Sequence, residues 1–157
     1  MSTDDRYEWR ETYFVLFPSE KRPSLGAVEK AVRKVGAHLQ FSGQEADDQG
    51  RIEAINVQSP GDYSALEIDY HSGDEVTLQV EELTQQLRSD RAERDRLARL
   101  KACDARFEIM HFEIMAEDMS SDENDEVFDP SALLVVLDAL VELTDGVGVD
   151  PQSGTLL

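Results

Sequence analysis

The stretch at residues 106–115 constrains the fold most, because its apolar side chains alternate onto both sides of an extended strand. Phe107 and Ile109 fall on one side, while Met110 and Phe112 fall on the other. Apolar surface left in water costs roughly 25 cal/mol per Å², so such a strand needs cover on both faces, at least in part. The pattern therefore predicts a central strand of a sheet that carries helices.

The spacing of apolar residues in the rest of the chain predicts the strands and helices of an α+β domain. Further strands are predicted at residues 13–17 (reaching back to residue 7), 37–42, 52–57 and 66–70, and as a terminal hairpin at 147–149 and 155–157. Helices are predicted at 24–35, from within 75–81 to 103, and at 130–143. Residues 75–80 also fit a hairpin strand, although we favour the helix.

Local signals mark the ends of these helices. Ser24 is expected to cap the first helix, and Gly36 to end it in a left-handed conformation. Asp129, followed by Pro130, is expected to cap the last one. The chain thus predicts one domain over residues 1–157, with three helices on a mainly antiparallel sheet. Strand–helix–strand–strand order at both ends raises the hypothesis of a pseudo-duplicated βαββ arrangement.

The charge balance excludes several kinds of partner. Thirty-four acidic residues face 15 basic ones, which leaves a net charge of −19. Such a surface repels nucleic-acid phosphates and anionic lipid headgroups, so we expect neither nucleic-acid nor membrane binding. The N-terminal region lacks the apolar core of a signal peptide, which predicts a cytoplasmic protein. Cys103 is the only cysteine, so no intrachain disulfide is expected.

Residues 117–129 hold the densest acidic cluster. Its seven carboxylates are Glu117, Asp118, Asp122, Glu123, Asp125, Glu126 and Asp129. An EF-hand register fails here, because Val127 falls where the calcium loop needs glycine. We expect a solvated, mobile loop. Docking of a basic protein and weak cation binding are the two functional alternatives for this segment, since clustered charge accelerates encounter with oppositely charged partners.

A second candidate site consists of metal-ligand residues on two predicted strands. Glu67, Asp69 and His71 share one side of the first strand, and His111 and Glu113 share one side of the second. Imidazole and carboxylate groups together can hold zinc, manganese or iron. The five residues would form a metal site if the two strands were neighbours and presented the same face.

No common catalytic motif occurs, and no cofactor is predicted. The leading hypothesis is a non-enzymatic protein-interaction domain that binds a basic partner. The alternative is a small-molecule or metal-binding domain, and in one version an enzyme, with its site on the polar strand faces. A third hypothesis is a homo-oligomer that pairs through the apolar helix at residues 133–143. The basic stretch at 88–101 is interpreted as a solvated helix, with pairing to the acidic cluster, within one molecule or in a dimer, as the alternative.

Overall fold

The computed structural model describes residues 7–36, 38–59, 64–87, 94–114, 131–151 and 155–156. Within these ranges an antiparallel sheet carries four α-helices, which confirms the α+β class. The strands are β1 (Tyr7–Phe17), β2 (Gln40–Ala46), β3 (Ile52–Ser59), β4 (Ser64–Ser72), β5 (Ala105–Ile114), β6 (Val147–Asp150) and β7 (Thr155–Leu156). The helices are α1 (Leu25–Val35), α2 (Asp74–Leu87), α3 (Arg94–Lys101) and α4 (Ser131–Thr144).

The strand order across the sheet is β2-β3-β4-β5-β1-β6-β7, so β5 is the central strand, as its two apolar sides predicted. Residues 75–80 are helical, as favoured over the hairpin strand. The count of three helices was wrong, because two helices, α2 and α3, occupy the region where one was expected. No helix in the described ranges is long and apolar enough to cross a lipid bilayer.

The N-terminal end of α1 agrees with the prediction, and the C-terminal end does not. Ser24 caps the helix, and its hydroxyl accepts a hydrogen bond from the Ala27 backbone N–H at 3.0 Å. Gly36 is extended (φ −159°, ψ 90°), so the predicted left-handed end is wrong. A side chain at Gly36 would meet Leu39, whose Cδ1 lies 2.8 Å from the place of a Cβ atom. The turn from Gly36 to Leu39 also delays the start of β2 to Gln40.

The duplicated βαββ arrangement is not confirmed. The element order recurs, with β1-α1-β2-β3 at one end of the chain and β5-α4-β6-β7 at the other. The strand that follows the helix differs in position, however: β2 lies at an edge of the sheet, whereas β6 pairs with β1. The predicted cap at Asp129 lies outside the described residues.

Helices α1 and α4 cover one side of the sheet, here called the first face. Leu133, Val136, Leu137 and Leu140 follow helical spacing along α4 and are buried against strand residues such as Val15, Phe107 and Ile109. Val28 and Val32 of α1 join the same core. Alternate residues of β4, of β5 and of β1 from Glu11 onward point into this core, so the residues between them face the other side. A register shift between Trp9 and Glu11 turns Trp9 to that other side as well.

Helices α2 and α3 lie on that other side, here called the second face. Their buried residues pack with Leu16 of β1 and with Val147 and Val149 of β6. The contributing helix residues are Val76, Val80, Leu83 and Leu100. This second core is smaller than the first, so the second face is covered over part of its area.

Gly146, between α4 and β6, provides a test of this packing. A Cβ atom there would lie 2.5 Å from the Leu16 carbonyl oxygen and 2.8 Å from the Thr144 hydroxyl. We expect Gly146→Ala to lower the free energy of unfolding by about 2–3 kcal/mol, because backbone cannot move aside as a flexible side chain can. Urea denaturation measures the change.

Gly26 in the first turn of α1 is the matched control. Nothing lies within 4 Å of its Cβ position, and its φ is not positive. Gly26→Ala should leave stability unchanged or raise it by up to about 1 kcal/mol, because alanine favours helix. Equal losses from the two substitutions would contradict the packing described around Gly146.

Candidate functional site

The register of the sheet divides the five predicted metal ligands between its two faces. Residues directly opposite each other in an antiparallel pair point to the same side. Glu67 lies opposite Met110, and Asp69 lies opposite Glu108, so these carboxylates are on the second face. His71, two residues beyond Asp69, is on that face as well.

His111 and Glu113 lie on the first face. His111 stands opposite Leu66 in β4 and Glu11 in β1, and it is buried. Its Nδ1 lies 3.5 Å from Glu11 Oε1 and has no hydrogen-bond partner among the described residues. Glu113 Oε2 lies 3.5 Å from Arg10 Nε. The common site expected for the five residues is therefore not formed, and the described residues hold no group of three or more His, Cys, Asp or Glu side chains placed to bind a metal ion.

The seven carboxylates of 117–129 lie outside the described residues. Docking or weak cation binding by that segment stays a prediction from the sequence.

A different surface emerges on the second face, where six residues of neighbouring strands remain wholly or partly exposed. We call it the open face and define it by Trp9, Ala65, Glu67, Asp69, Met110 and Phe112. Trp9 pairs with Phe112 across β1 and β5, and Ala65 pairs with Phe112 across β4 and β5. The indole of Trp9 is 50% exposed, although its Nε1 donates a 3.0 Å hydrogen bond to the Thr12 hydroxyl.

The two acids of the open face are energetically unfavourable where they stand. Partial burial raises the pKa of Asp69, and the carboxylate of Glu108 raises it further, although His71 acts in the opposite direction. Burial, followed by the charge of Asp69, raises the pKa of Glu67, although the positive charge of the N-terminal amine acts in the opposite direction. No lysine or arginine in the described ranges forms an ion pair with either carboxylate. The fold therefore keeps two half-buried negative charges that a cation would stabilise.

Arg106 marks the boundary between the open face and the part that α2 covers. Its side chain is only 9% exposed and lies with its guanidinium 4.8 Å from the Phe14 ring centroid. Nη1 donates to Gln79 Oε1 of α2 at 2.8 Å, and Nη2 lies 3.5 Å from Glu108 Oε2. Arg106 Nη2 also lies 3.4 Å from Glu75 Oε1 of α2, and Glu108 Oε2 lies 3.6 Å from His71 Nε2. Arg106 thus pairs with Glu108 and Glu75, and not with Glu67 or Asp69.

Sequence reasoning missed the open face. Alternation placed Met110 and Phe112 together, yet the same alternation implied that both would be covered. Trp9 gave a misleading signal, because strict alternation along β1 would put it on the first face with Val15 and Phe17. A register shift between Trp9 and Glu11 turns Trp9 to the second face instead, opposite Phe112. Nothing in the sequence indicated that Arg106 would be buried beside this surface, because an arginine at a strand end is ordinarily solvated.

Comparison of the chain with protein families, with curated proteins and with solved structures gave no match. What the open face can bind is therefore inferred from its own residues and their geometry.

The first prediction from this site concerns pH. Because their pKa values are raised on folding, Asp69 and Glu67 hold protons in the folded state that the unfolded chain has released. Their contribution to stability is complete at low pH and is lost as pH rises through the raised values. Asp69→Asn should flatten that loss and raise the free energy of unfolding at pH 7 by a few tenths of a kcal/mol to about 1 kcal/mol.

Urea unfolding between pH 4 and pH 8 measures this dependence. Asp138→Asn, an exposed carboxylate on α4, is the control and should leave the pH profile unchanged. A destabilised Asp69→Asn variant would contradict the account of unfavourable charge.

The second prediction concerns Cys103, which is buried and donates its S–H to the Arg99 carbonyl oxygen at 3.3 Å. Burial, with a smaller effect from Asp104, raises the pKa of the thiol to about 12. We expect no reaction with Ellman's reagent at pH 8 until urea unfolds the protein, because the thiolate is the reactive form. Rapid labelling of the folded protein would contradict this.

Proposed function

We propose that this protein is a non-enzymatic protein-interaction domain that binds a basic protein through the open face. The observation that carries the proposal is the combination of exposed aromatic surface with two carboxylates that have no lysine or arginine partner among the described residues. Aromatic residues are enriched in protein interfaces, and half-buried charge without a partner is a cost that binding can relieve.

The overall charge supports the same choice of partner. A net charge of −19 attracts basic proteins over distances near the Debye length, which is about 8 Å at physiological salt. In this proposal the carboxylates at 117–129 add to that long-range attraction and raise the association rate. The open face then supplies short-range contacts that charge alone does not.

Affinity capture with matched charge variants tests the proposal. The immobilised protein is exposed to lysate of its source cells, and bound proteins are eluted with NaCl in steps from about 0.1 M to about 0.5 M. The double variant Glu67→Gln/Asp69→Asn removes two charges from the open face. Asp138→Asn/Glu142→Gln removes two exposed charges from α4 on the first face.

We expect wild type and the α4 variant to retain the same basic proteins and the open-face variant to lose most of them. If wild type and both double variants retained the same proteins, the binding site would lie outside the open face. The absence of any salt-sensitive basic partner would contradict the proposed function.

A further inference from the structure

We propose that the partner occupies the open face with an amphipathic helix, whose apolar stripe packs on Trp9, Met110 and Phe112 and whose basic side chains meet Glu67 and Asp69. This inference rests on the proposed function, which supplies the basic partner. The inference adds two points about the partner: it binds through a helix, and that helix carries apolar and basic side chains.

The position of the open face favours a helix over a strand. A peptide lying on the face of a sheet finds no free backbone groups there, so its own N–H and C=O groups must be satisfied internally, as a helix does. Strand addition needs a regular edge. The edge strand β2 has register shifts between Ser42 and Ala46, and Gly43 has a φ of 59°, so that edge is irregular.

The second face already accepts helices. Val76 and Val80 of α2 and Leu100 of α3 pack against Leu16, Val147 and Val149 in the covered part. A helix on the open face would extend this layer across β4 and β5. Arg106, at the boundary, donates a hydrogen bond to Gln79 of α2 and so joins the existing layer to β5.

The apolar stripe follows from the side chains available for contact. Trp9 and Phe112 are directly opposite each other, and Met110 lies two residues from Phe112 on the same side. None of the three is fully buried. Tryptophan and other large aromatic residues contribute most where an interface can exclude water around them, so these three are the expected anchors.

The basic flanks follow from charge complementarity. Asp69 and Glu67 are two residues apart on one strand, and in the described ranges neither has a lysine or arginine partner. Arg106 already pairs with Glu108. A second copy of this chain would bring another 19 negative charges to the contact, which disfavours self-association as the source of the helix.

Three synthetic peptides test the inference on the whole protein. The first has about 18 residues, close to five helical turns, with leucine at helical spacing and lysine elsewhere. The second has the same composition with the leucines scrambled, and the third has glutamate in place of lysine. Trp9 is the only tryptophan in the chain, so its emission and its protection from acrylamide report binding at the open face directly.

We expect the first peptide to shift Trp9 emission to the blue, to shield it from acrylamide and to gain helical circular dichroism. Glu67→Gln/Asp69→Asn should weaken its binding about tenfold, and Phe112→Ala should do so by a similar factor. Two controls should change affinity less than about twofold: Asp138→Asn/Glu142→Gln, and Leu78→Ala, whose leucine is 56% exposed on α2. Thermal unfolding checks that each variant folds.

Several outcomes would overturn the inference. If the scrambled peptide bound as tightly as the first peptide, charge alone would account for the interaction. Binding that leaves Trp9 unchanged would place the peptide elsewhere on the acidic surface, and the proposed function would survive without this mode of binding. Protection of Trp9 that rises with protein concentration in the absence of peptide would assign the open face to a second copy. If neither lysine peptide bound at low salt, the proposed function itself would fail.

Discussion

The structure depends on covering both sides of the central strands β1 and β5, and the cover is unequal. On the first face α1 and α4 bury a continuous core that includes Val15, Phe107 and Ile109. On the second face α2 and α3 bury Leu16 and the residues of β6, while the opposite ends of β1 and β5 stay partly exposed. The open face is therefore the part of the second face that α2 and α3 do not cover.

Arg106 lies where the covered part of the second face meets the open face. Its guanidinium lies over the Phe14 ring, and its donors reach Gln79 on α2 and Glu108 on its own strand. An arginine suits a boundary because its long apolar stem packs while its charged head reaches a polar group. His71 Nε2 also lies 3.6 Å from Glu108 Oε2, so in the described ranges both basic groups within ion-pair distance of the strand acids on the second face meet Glu108 rather than Asp69. Beyond Arg106 the acids Glu67 and Asp69 therefore stand without a lysine or arginine partner in those ranges.

The sequence predicted the strands and the central place of β5 because alternation is a local property of the chain. It could not place the candidate site, because that depends on register and on helix position. Glu67 and His111 point to opposite faces since Leu66, not Glu67, lies opposite His111. A shift of one residue would have reversed that result, and no local pattern fixes it. The apolar stripe of α2 likewise shows that the helix packs, but not on which half of the face. At Gly36 the backbone is extended and Leu39 packs against the glycine, so the local preference for a left-handed helix end does not decide the conformation.

Stability and binding are linked through the same carboxylates. Charge on Glu67 and Asp69 opposes folding, because burial and like charge raise their pKa values and no lysine or arginine of the described ranges pairs with them. A cationic side chain on the open face would favour the charged forms, so binding would lower those pKa values and stabilise the fold at the same time. Two glutamine or asparagine residues would give a more stable sheet with a weaker site. In the proposed function the acids of the open face are therefore tolerated at some cost to the free protein, because the complex recovers that cost.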